Sequence, residues 1–439
     1  MSTQTSIPTG NEFHAALAAR KDWAVNTLGS WVRYASTLGN ETPAQEYIAG
    51  VYDQLGYAPK LEPIDVDKIS KLPGFSPVDW SYHQRPNVVG VHNPGSNSQG
   101  HSLILQGHVD VVSAEPSKLW ASNPFEPRMK LNGENGETWM YGRGAGDMKG
   151  GSMCFLWALA ALQDLGLEPA SKVILQSPIE EECTGNGALA LCANGYTADA
   201  CLIPEPFHET ILASQVGVMW FQVRVLGKTT HVLGAGRGVN AIEKSWVFIK
   251  ALRELEAELN QPNRIHPAFK EYEHPLNLNV GIINGGDWAS TVAGECVTRF
   301  RIGLFPGESL AELKQTVEAR IQEAAAKDPW LKDFPPTVEY VGFQAVGSTF
   351  NSASTFGEKL AAAHRVCRGS DPIFLNSTAT TDVRFYNEYY GIPSTCYGPV
   401  AHNIHGVDER VSIDSMQRCA EVISRFIDQW CGLRKRVQP

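Results

Sequence analysis

The sequence lacks several features that mark particular classes of protein. None of its nine cysteines forms a Cys-x-x-Cys pair, which argues against a disulfide scaffold or a thiolate zinc site. The longest apolar run, residues 153–162, is about half of the ~20 residues needed to cross a bilayer, so no membrane span is predicted. The formal net charge is −10 and no stripe of lysine and arginine is present, so nucleic acid is not an expected partner. An odd number of cysteines, with no secretory signal, is typical of a protein of the reducing cytoplasm.

The length and the amino-acid composition are typical of a large globular protein. The chain has 439 residues, of which 43% are hydrophobic and 19% charged, and at roughly 150 residues per domain this length suggests about two or three domains. Helical patterns cover residues 11–34 and 42–55. From there to about residue 214, short apolar strands alternate with helices. This alternation predicts an α/β fold in which helices cover a central sheet.

The pattern changes between residues 215 and 342. There the predicted elements follow the order β-α-β-β-α-β, which is typical of a ferredoxin-like unit. We therefore predict a catalytic domain formed by residues 1–214 and 343–439, interrupted by an inserted domain at residues 215–342.

Polar residues follow one predicted strand after another. His108 and Asp110 come after the first strand, Glu181 and Glu182 after the next, and Glu205 after a third. Because α/β proteins place their sites at the carboxyl ends of strands, we expect these side chains to lie together.

Each of these signals has another interpretation when taken alone. The carboxylate of Asp110 could fix the imidazole of His108 as in a metal site, but a purely structural hydrogen bond has the same spacing. The glycine-rich segment around Asp147 is similar to a phosphate-binding loop, although it lacks the Gly-Lys-Ser/Thr of a P-loop. The acidic run 180–182 could be solvated surface. Together with His405, however, these imidazoles and carboxylates form a set suited to two zinc-like ions.

Six segments carry a resemblance to a known family. They are GHVD (107–110), GRGAGDMKGG (142–151), EEECTGNG (180–187), PEP (204–206), TDVRF (381–385) and HGVDE (405–409). In these segments and their order the chain resembles the dinuclear zinc aminoacylase/carboxypeptidase family, which includes acetylornithine deacetylase and succinyl-diaminopimelate desuccinylase. The resemblance implies a zinc-exopeptidase-like catalytic domain, with a central mixed sheet and helices on both faces, plus an inserted ferredoxin-like α+β dimerisation and lid domain.

The resemblance also implies two divalent metal ions per subunit. Zinc is the favoured metal, with cobalt and manganese as alternatives. Asp147 would bridge the two ions. His108 and Glu205 would complete one metal site, and Glu182 and His405 would complete the other.

Three further expectations concern the surroundings of the metals. Glu181 would act as general base and then as acid, and Asp110 would orient His108. The peptide bond after Asp147 is expected to be cis. His402 is a rival ligand only three residues from His405, but the family's His-x-x-Asp-Glu pattern selects His405.

The inserted domain resembles the family's dimerisation lid, which predicts a homodimer. His231 would reach the active site of the partner subunit and stabilise the oxyanion, although an exposed loop histidine is the alternative interpretation. Asn240, in the same matching region, is a candidate substrate contact.

Two positions depart from family members that bind a substrate carboxylate. Ser290 stands where those members carry Asn, and Gly303 stands where they carry Arg. Arg301 lies two residues earlier on the same strand face and could substitute for that arginine, while Arg384 is a further candidate substrate contact. Trp288 would form either an aromatic wall or ordinary packing.

We therefore predict a metal-dependent hydrolase that cleaves the amide bond of a small molecule, with an N-acyl amino acid deacylase favoured. The alternatives are a related C–N hydrolase acting on a carbamoyl or arylamine substrate, a metallo-carboxypeptidase or dipeptidase, and a non-catalytic scaffold of the same fold.

Overall fold

The computed structural model describes residues 10–436, so the first nine and last three residues of the predicted catalytic domain lie outside the described residues. In this part of the chain the α-helices are Gly10–Ala19, Lys21–Val32, Thr42–Gln54, Val66–Ile69, Gly151–Asp164, Asn186–Ala193, Ala241–Leu259, Leu310–Ala326, Thr355–Arg368 and Ile413–Cys431. The helical stretch predicted at residues 11–34 is two helices, because Arg20 leaves the helical conformation at φ −96° and ψ 4°. No helix among the described residues combines the length and the apolar character needed to span a membrane.

The main sheet has six strands with helices on both faces. In spatial order they are Lys60–Glu62, Asn87–His92, Val173–Ser177, Leu103–Gln106, Cys201–Ile203 and Ser394–Cys396. The last four run parallel, while the first two are antiparallel to their neighbours. Leu103 and Leu105 belong to one hydrophobic core and Ile104 to another, as expected for a strand whose side chains alternate between two buried faces.

The parallel strands bring the predicted site residues to one edge of the sheet. His108 lies two residues after the strand Leu103–Gln106, and Glu205 lies two residues after Cys201–Ile203. Glu181 follows Val173–Ser177, which is adjacent to Leu103–Gln106. Carboxyl ends of parallel strands meet at the same edge, so the sheet itself gathers these side chains.

A second sheet and two helices form the inserted unit. The sheet is built, in spatial order, from Asn279–Gly285, Glu295–Leu304, Gly217–Leu226 and Thr337–Glu339, with Gln344–Ala345 also pairing with Gly217–Leu226. Helices Ala241–Leu259 and Leu310–Ala326 pack on it around a separate hydrophobic core within residues 216–331. The order of elements is the predicted β-α-β-β-α-β. The domain limits 215 and 342 stay a prediction.

Several short strands and one long helix were not predicted. The additional strands are Arg128–Lys130, Trp139–Tyr141, Leu167–Pro169, Ile211–Gln215, Ser348–Thr349, Phe374–Ser377, Ala401–His402, Arg410–Ser412 and Leu433–Lys435. The pairing of Arg410–Ser412 with Trp139–Tyr141 matters most, because it places the loop carrying His405 beside the glycine-rich loop carrying Asp147. The helix Ile413–Cys431 packs against Gly151–Asp164 in the larger core.

Candidate metal centre and active site

Asp147 lies between the two predicted histidine ligands. Its Oδ1 is 3.3 Å from Nε2 of His108, and its Oδ2 is 3.3 Å from Nε2 of His405. Each carboxylate oxygen therefore faces a different imidazole. This is the arrangement that a carboxylate bridging two metal ions needs.

The remaining predicted ligands complete two groups around Asp147. Glu205 Oε1 is 3.8 Å from His108 Nε2, and Glu182 Oε2 is 2.9 Å from His405 Nε2. With bonds of about 2.0–2.2 Å to a tetrahedral zinc ion, ligand atoms lie about 3.3–3.6 Å apart. The observed separations of 3.8 and 2.9 Å lie on either side of this range, so the donor atoms are close enough together to be candidate ligands.

Glu181 lies beside the same imidazole. Its Oε2 is 3.8 Å from His108 Nε2, as far as Glu205 Oε1 is. The side chain is buried, and its Oε1 has no hydrogen-bond partner among the described residues. Glu181 therefore has one carboxylate oxygen beside His108 and a second that no described residue binds.

Asp110 holds the site in a different way from the one predicted. The Nδ1 of His108 bonds to the backbone carbonyl of Asp110 at 2.9 Å, whereas the Asp110 carboxylate is 3.6 Å away. That carboxylate instead accepts hydrogen bonds from the backbone N–H groups of Glu181 and Glu182, at 3.2 and 3.0 Å. Asp110 orients His108 through its main chain and the acidic turn through its side chain. The peptide bond between Asp147 and Met148 is cis, as expected.

Three predicted residues of the inserted unit lie outside the metal cluster. His231 is exposed, and its Nδ1 accepts from the backbone N–H of Leu233 at 3.2 Å. Asn240 caps the helix Ala241–Leu259 by accepting from Ile242 N at 3.0 Å. The carbonyl of Ser290 accepts from Val232 N at 3.0 Å, next to the bridge between His231 and Thr291. The segments of His231 and Ser290 therefore lie side by side, and none of the contacts given for the three residues joins them to the candidate ligands of the same chain.

Arg384 is a correction to the predicted substrate contacts. Its side chain is buried, and its guanidinium donates to the carbonyls of Thr381 at 2.7 Å and Thr184 at 2.9 Å. It also lies 3.7 Å from Asp382 Oδ1. Arg384 therefore holds Thr381 and Thr184 together, and it is not among the residues that line the cavity described below.

Arg301 does reach the site, where it lines a cavity of about 510 Å³ that includes Glu181, Glu182 and His405. The second sheet forms one wall of this cavity. Trp220 lies opposite Arg301 in the strand register, and both side chains point to the same face of that sheet. The cavity therefore lies between the metal cluster and the inserted unit.

Aromatic side chains that sequence reasoning missed form much of the cavity wall. They are Trp80, Trp220 and Phe343. The indole of Trp80 donates to Glu180 Oε1 at 2.7 Å, and the Trp220 and Phe343 rings meet edge-to-face with centroids 5.2 Å apart. The alternation of side chains along a strand could have indicated that Trp220 and Arg301 face the same side. No comparable pattern in the turn-rich segment around Trp80 indicated where that side chain lies. Trp288, 72% exposed, is not part of this wall.

A family model described as peptidase family M20/M25/M40 matches residues 104–429. The chain belongs to this family. It is 30% identical over 428 residues to the N-formyl-4-amino-5-aminomethyl-2-methylpyrimidine deformylase of Bacillus subtilis (strain 168), an alignment that covers 93% of this chain and 94% of that protein. It is 28% identical over 338 residues to the succinyl-diaminopimelate desuccinylase of Paracoccus denitrificans (strain Pd 1222), covering 74% of this chain and 82% of that protein. The predicted resemblance is confirmed.

The fold of this M20 chain is also found in solved structures. A dipeptidase of Saccharomyces cerevisiae matches it with a TM-score of 0.77 at 14% identity, covering 95% of this chain and 98% of that chain. The predicted fold class is thereby confirmed.

Electrostatics of the M20 site favour bound cations. Burial raises the pKa of the Glu181 and Glu205 carboxyls, and the neighbouring carboxylate of Glu182 raises the pKa of His405 to about 11. Four carboxylates that share a buried pocket repel one another unless positive charge lies between them. Divalent ions would supply that charge and replace the imidazolium protons.

Proposed function

We propose that Asp147 bridges two divalent metal ions, with His108 and Glu205 completing one site and Glu182 and His405 the other. This assignment is supported by the two oxygens of the Asp147 carboxylate, which face different imidazoles. Oδ1 lies 3.3 Å from Nε2 of His108, and Oδ2 lies 3.3 Å from Nε2 of His405. Imidazole and carboxylate donors suit zinc, with cobalt and manganese as alternatives. When bound, the two ions would polarise an amide carbonyl and promote the ionisation of water.

Glu181 is the general base in this proposal. Glu181 lines the cavity and its carboxylate lies beside His108, so it can take a proton from the attacking water and return it to the leaving amine. Burial raises the pKa of this carboxyl, and a base with a raised pKa holds the proton better while the tetrahedral species forms. No predicted ligand is missing from the chain, which argues against the non-catalytic scaffold.

The chain is an M20 metallohydrolase that acts on C–N bonds of the amide type. We infer that its substrate is the N-acyl derivative, with a short acyl group, of an amine that carries a flat aromatic or heteroaromatic ring. The observation that carries this inference is the aromatic wall of Trp80, Trp220 and Phe343 beside Glu181. Aromatic pairs contribute about 0.5–1.5 kcal/mol beyond the burial of their area. The Bacillus subtilis relative, an N-formyl-4-amino-5-aminomethyl-2-methylpyrimidine deformylase, acts on a compound of this kind.

Arg301 favours a second candidate, the N-acyl amino acids. In the described part of the chain, its guanidinium donates to the carbonyls of Asn277 at 3.2 Å and Thr378 at 3.4 Å. Among residues 10–436 it has no carboxylate partner, and burial lowers its pKa. A substrate carboxylate would pair with this cation.

We also propose that residues 215–342 form a dimerisation and lid domain of a cytoplasmic homodimer. The strand Asn279–Gly285 is an edge strand of the second sheet and is largely exposed, with Ile283 45% exposed and Trp246 on the adjoining helix 62% exposed. An exposed apolar edge strand is suited to pairing with a second copy. His231 would then serve the partner's site, and Asn240 and Ser290 would contact its substrate.

The experiment compares a matched pair of substrates. Protein purified without chelator is first analysed for metal, and about two ions per chain are expected. Hydrolysis of an N-formyl aminomethyl heteroarene is then compared with that of an N-formyl amino acid of similar size. A higher kcat/KM for the heteroarene supports the aromatic substrate, the reverse order supports the second candidate, and two bound metals without hydrolysis of any amide contradict the proposal.

A further inference from the structure

A buried carboxylate outside the metal cluster is bonded to the backbone of Asp147. The Oε1 of Glu409 accepts from Gly146 N at 2.8 Å and from Asp147 N at 2.9 Å. Its Oε2 pairs with Nη1 of Arg143. A Cβ at Gly146 would come within 2.9 Å of Ala401 Cβ and 3.3 Å of Glu409 Oε1, so glycine at this position permits the close approach.

The partner of that carboxylate is bonded to the loop of His405. Nη2 of Arg143 donates to the carbonyl of Gly406 at 3.1 Å and to the carbonyl of Ser113 at 3.2 Å. The guanidinium also lies over the Trp120 ring, 5.1 Å from its centroid. Arg143 and Glu409 are both buried, at 2% and 0% exposure, so one enclosed ion pair joins two loops that lie about 260 residues apart in sequence.

The loop of His405 needs such an anchor. His405 has φ +60° and Asp408 has φ +54°, a region that side-chain-bearing residues adopt only when neighbouring contacts hold them there. The His405 side chain is 54% exposed, and its Nε2 lies 3.3 Å from Asp147 Oδ2 and 2.9 Å from Glu182 Oε2. Its position therefore depends on the hydrogen bonds made by the main chain of the loop. The bond from Arg143 is made to Gly406, the residue directly after His405.

We propose that Arg143 and Glu409 are positioning residues that set the distance between the Asp147 carboxylate and the His405 imidazole. Both side chains act through main-chain groups: Glu409 binds the backbone N–H of Asp147, and Arg143 binds the carbonyl of Gly406. The Asp147 carboxylate and the His405 imidazole are both proposed ligands of the ion that Glu182 also binds. The affinity for that ion therefore depends on the pair of Arg143 and Glu409. This inference rests on the proposed function, because it takes the same residues as metal ligands.

The test is a titration of metal-free protein with Co²⁺, followed by visible absorption and by competition with a chelator. Two variants perturb the pair differently. R143K keeps the positive charge but cannot reach Glu409, Gly406 and Ser113 together, and E409Q keeps an acceptor oxygen but turns an amide towards Arg143. The control is E168Q, which weakens the ion pair of Glu168 with Arg434, 2.7 Å long and distant from the site.

Each variant is expected to lose about 10–100-fold in affinity for one Co²⁺ ion, the range typical of groups that orient metal ligands. The affinity for the ion held by His108 and Glu205 is expected to fall less, and E168Q should match the wild type. Circular dichroism and the thermal unfolding midpoint show whether each variant is folded. If both variants are folded and bind two Co²⁺ ions as tightly as the wild type does, the positioning role is overturned and the proposed function is not. Equal loss of both ions would also overturn the positioning role, whereas a wild type that binds no Co²⁺ contradicts the proposed function.

Discussion

Replacement of Glu181 by Gln is the most direct test of the chemistry. Gln has the same shape but cannot accept the proton of the attacking water. General acid–base catalysis contributes about 10²–10⁴-fold to rate, which corresponds to about 3–5 kcal/mol of transition-state stabilisation. We expect kcat to fall by a factor in that range.

The structure indicates that this loss should occur without a loss of fold or metal. Oε1 of Glu181 has no partner among the described residues, and its Oε2 is 3.8 Å from the nearest imidazole. The hydrogen bond from Glu181 N to Asp110 Oδ1 involves the main chain, so E181Q keeps it. The unfolding midpoint should stay the same or rise slightly, because one buried carboxylate without a hydrogen-bond partner is removed.

The assay measures kcat with the best amide of the substrate pair, together with metal content by elemental analysis. E181D is the matched control, since it retains a carboxylate withdrawn by one methylene, and it should keep part of the activity. The reasoning is refuted if E181Q retains more than a tenth of wild-type kcat with full metal content. It is also refuted if E181Q loses metal in proportion to activity, which would make Glu181 a ligand.

Three further predictions concern the wall, the edge strand and a buried glutamate. W80L should lower kcat/KM for the heteroaryl amide by about 2–10-fold relative to W80F, as expected for the loss of aromatic stacking, and steady-state kinetics with both substrates would show whether the loss is selective. I283E should shift the protein from dimer to monomer in sedimentation velocity, with K327E, at an exposed lysine of the same unit, as the control; an unchanged dimer would argue against this interface. Burial alone would raise the pKa of Glu256, but bonds from Arg253, Leu278 N and His274 lower it. A lowered carboxyl pKa stabilises the fold above the unfolded pKa of about 4.3, so E256Q should destabilise by about 1–2 kcal/mol at pH 7, and this difference should shrink as the pH falls below about 4. Thermal unfolding at several pH values would measure it, and a difference independent of pH would contradict the reasoning.

The candidate metal ligands could be predicted from the family resemblance, and several of them also from their place after predicted strands. His108 and Glu205 each come directly after a short apolar strand, and parallel strands end at one edge whatever the rest of the chain does. The order β-α-β-β-α-β of the inserted unit was likewise predictable from local sequence. The spacing of apolar residues that distinguishes a strand from a helix can be recognised within about ten residues. Neither these predictions nor the family resemblance depended on knowing which distant residues are in contact.

Other parts of the molecule depended on contacts between distant segments. The helix Ile413–Cys431 and the strands Trp139–Tyr141 and Arg410–Ser412 were missed, and the two strands form only because they pair across about 270 residues of sequence. The aromatic wall needed Trp80 and Trp220 to be brought together from different units.

The candidate metal ligands and the sheet edge that presents several of them could be predicted from the amino-acid sequence. How those side chains are held became visible only in the folded chain. It showed that the Asp110 carboxylate bonds to the acidic turn rather than to the imidazole, that Arg384 is enclosed, and that Arg143 and Glu409 join the loops of Asp147 and His405. The physical reason is that a residue's type and its neighbours in sequence set its local conformation, whereas hydrogen-bond partners and burial are set by segments that become adjacent only on folding.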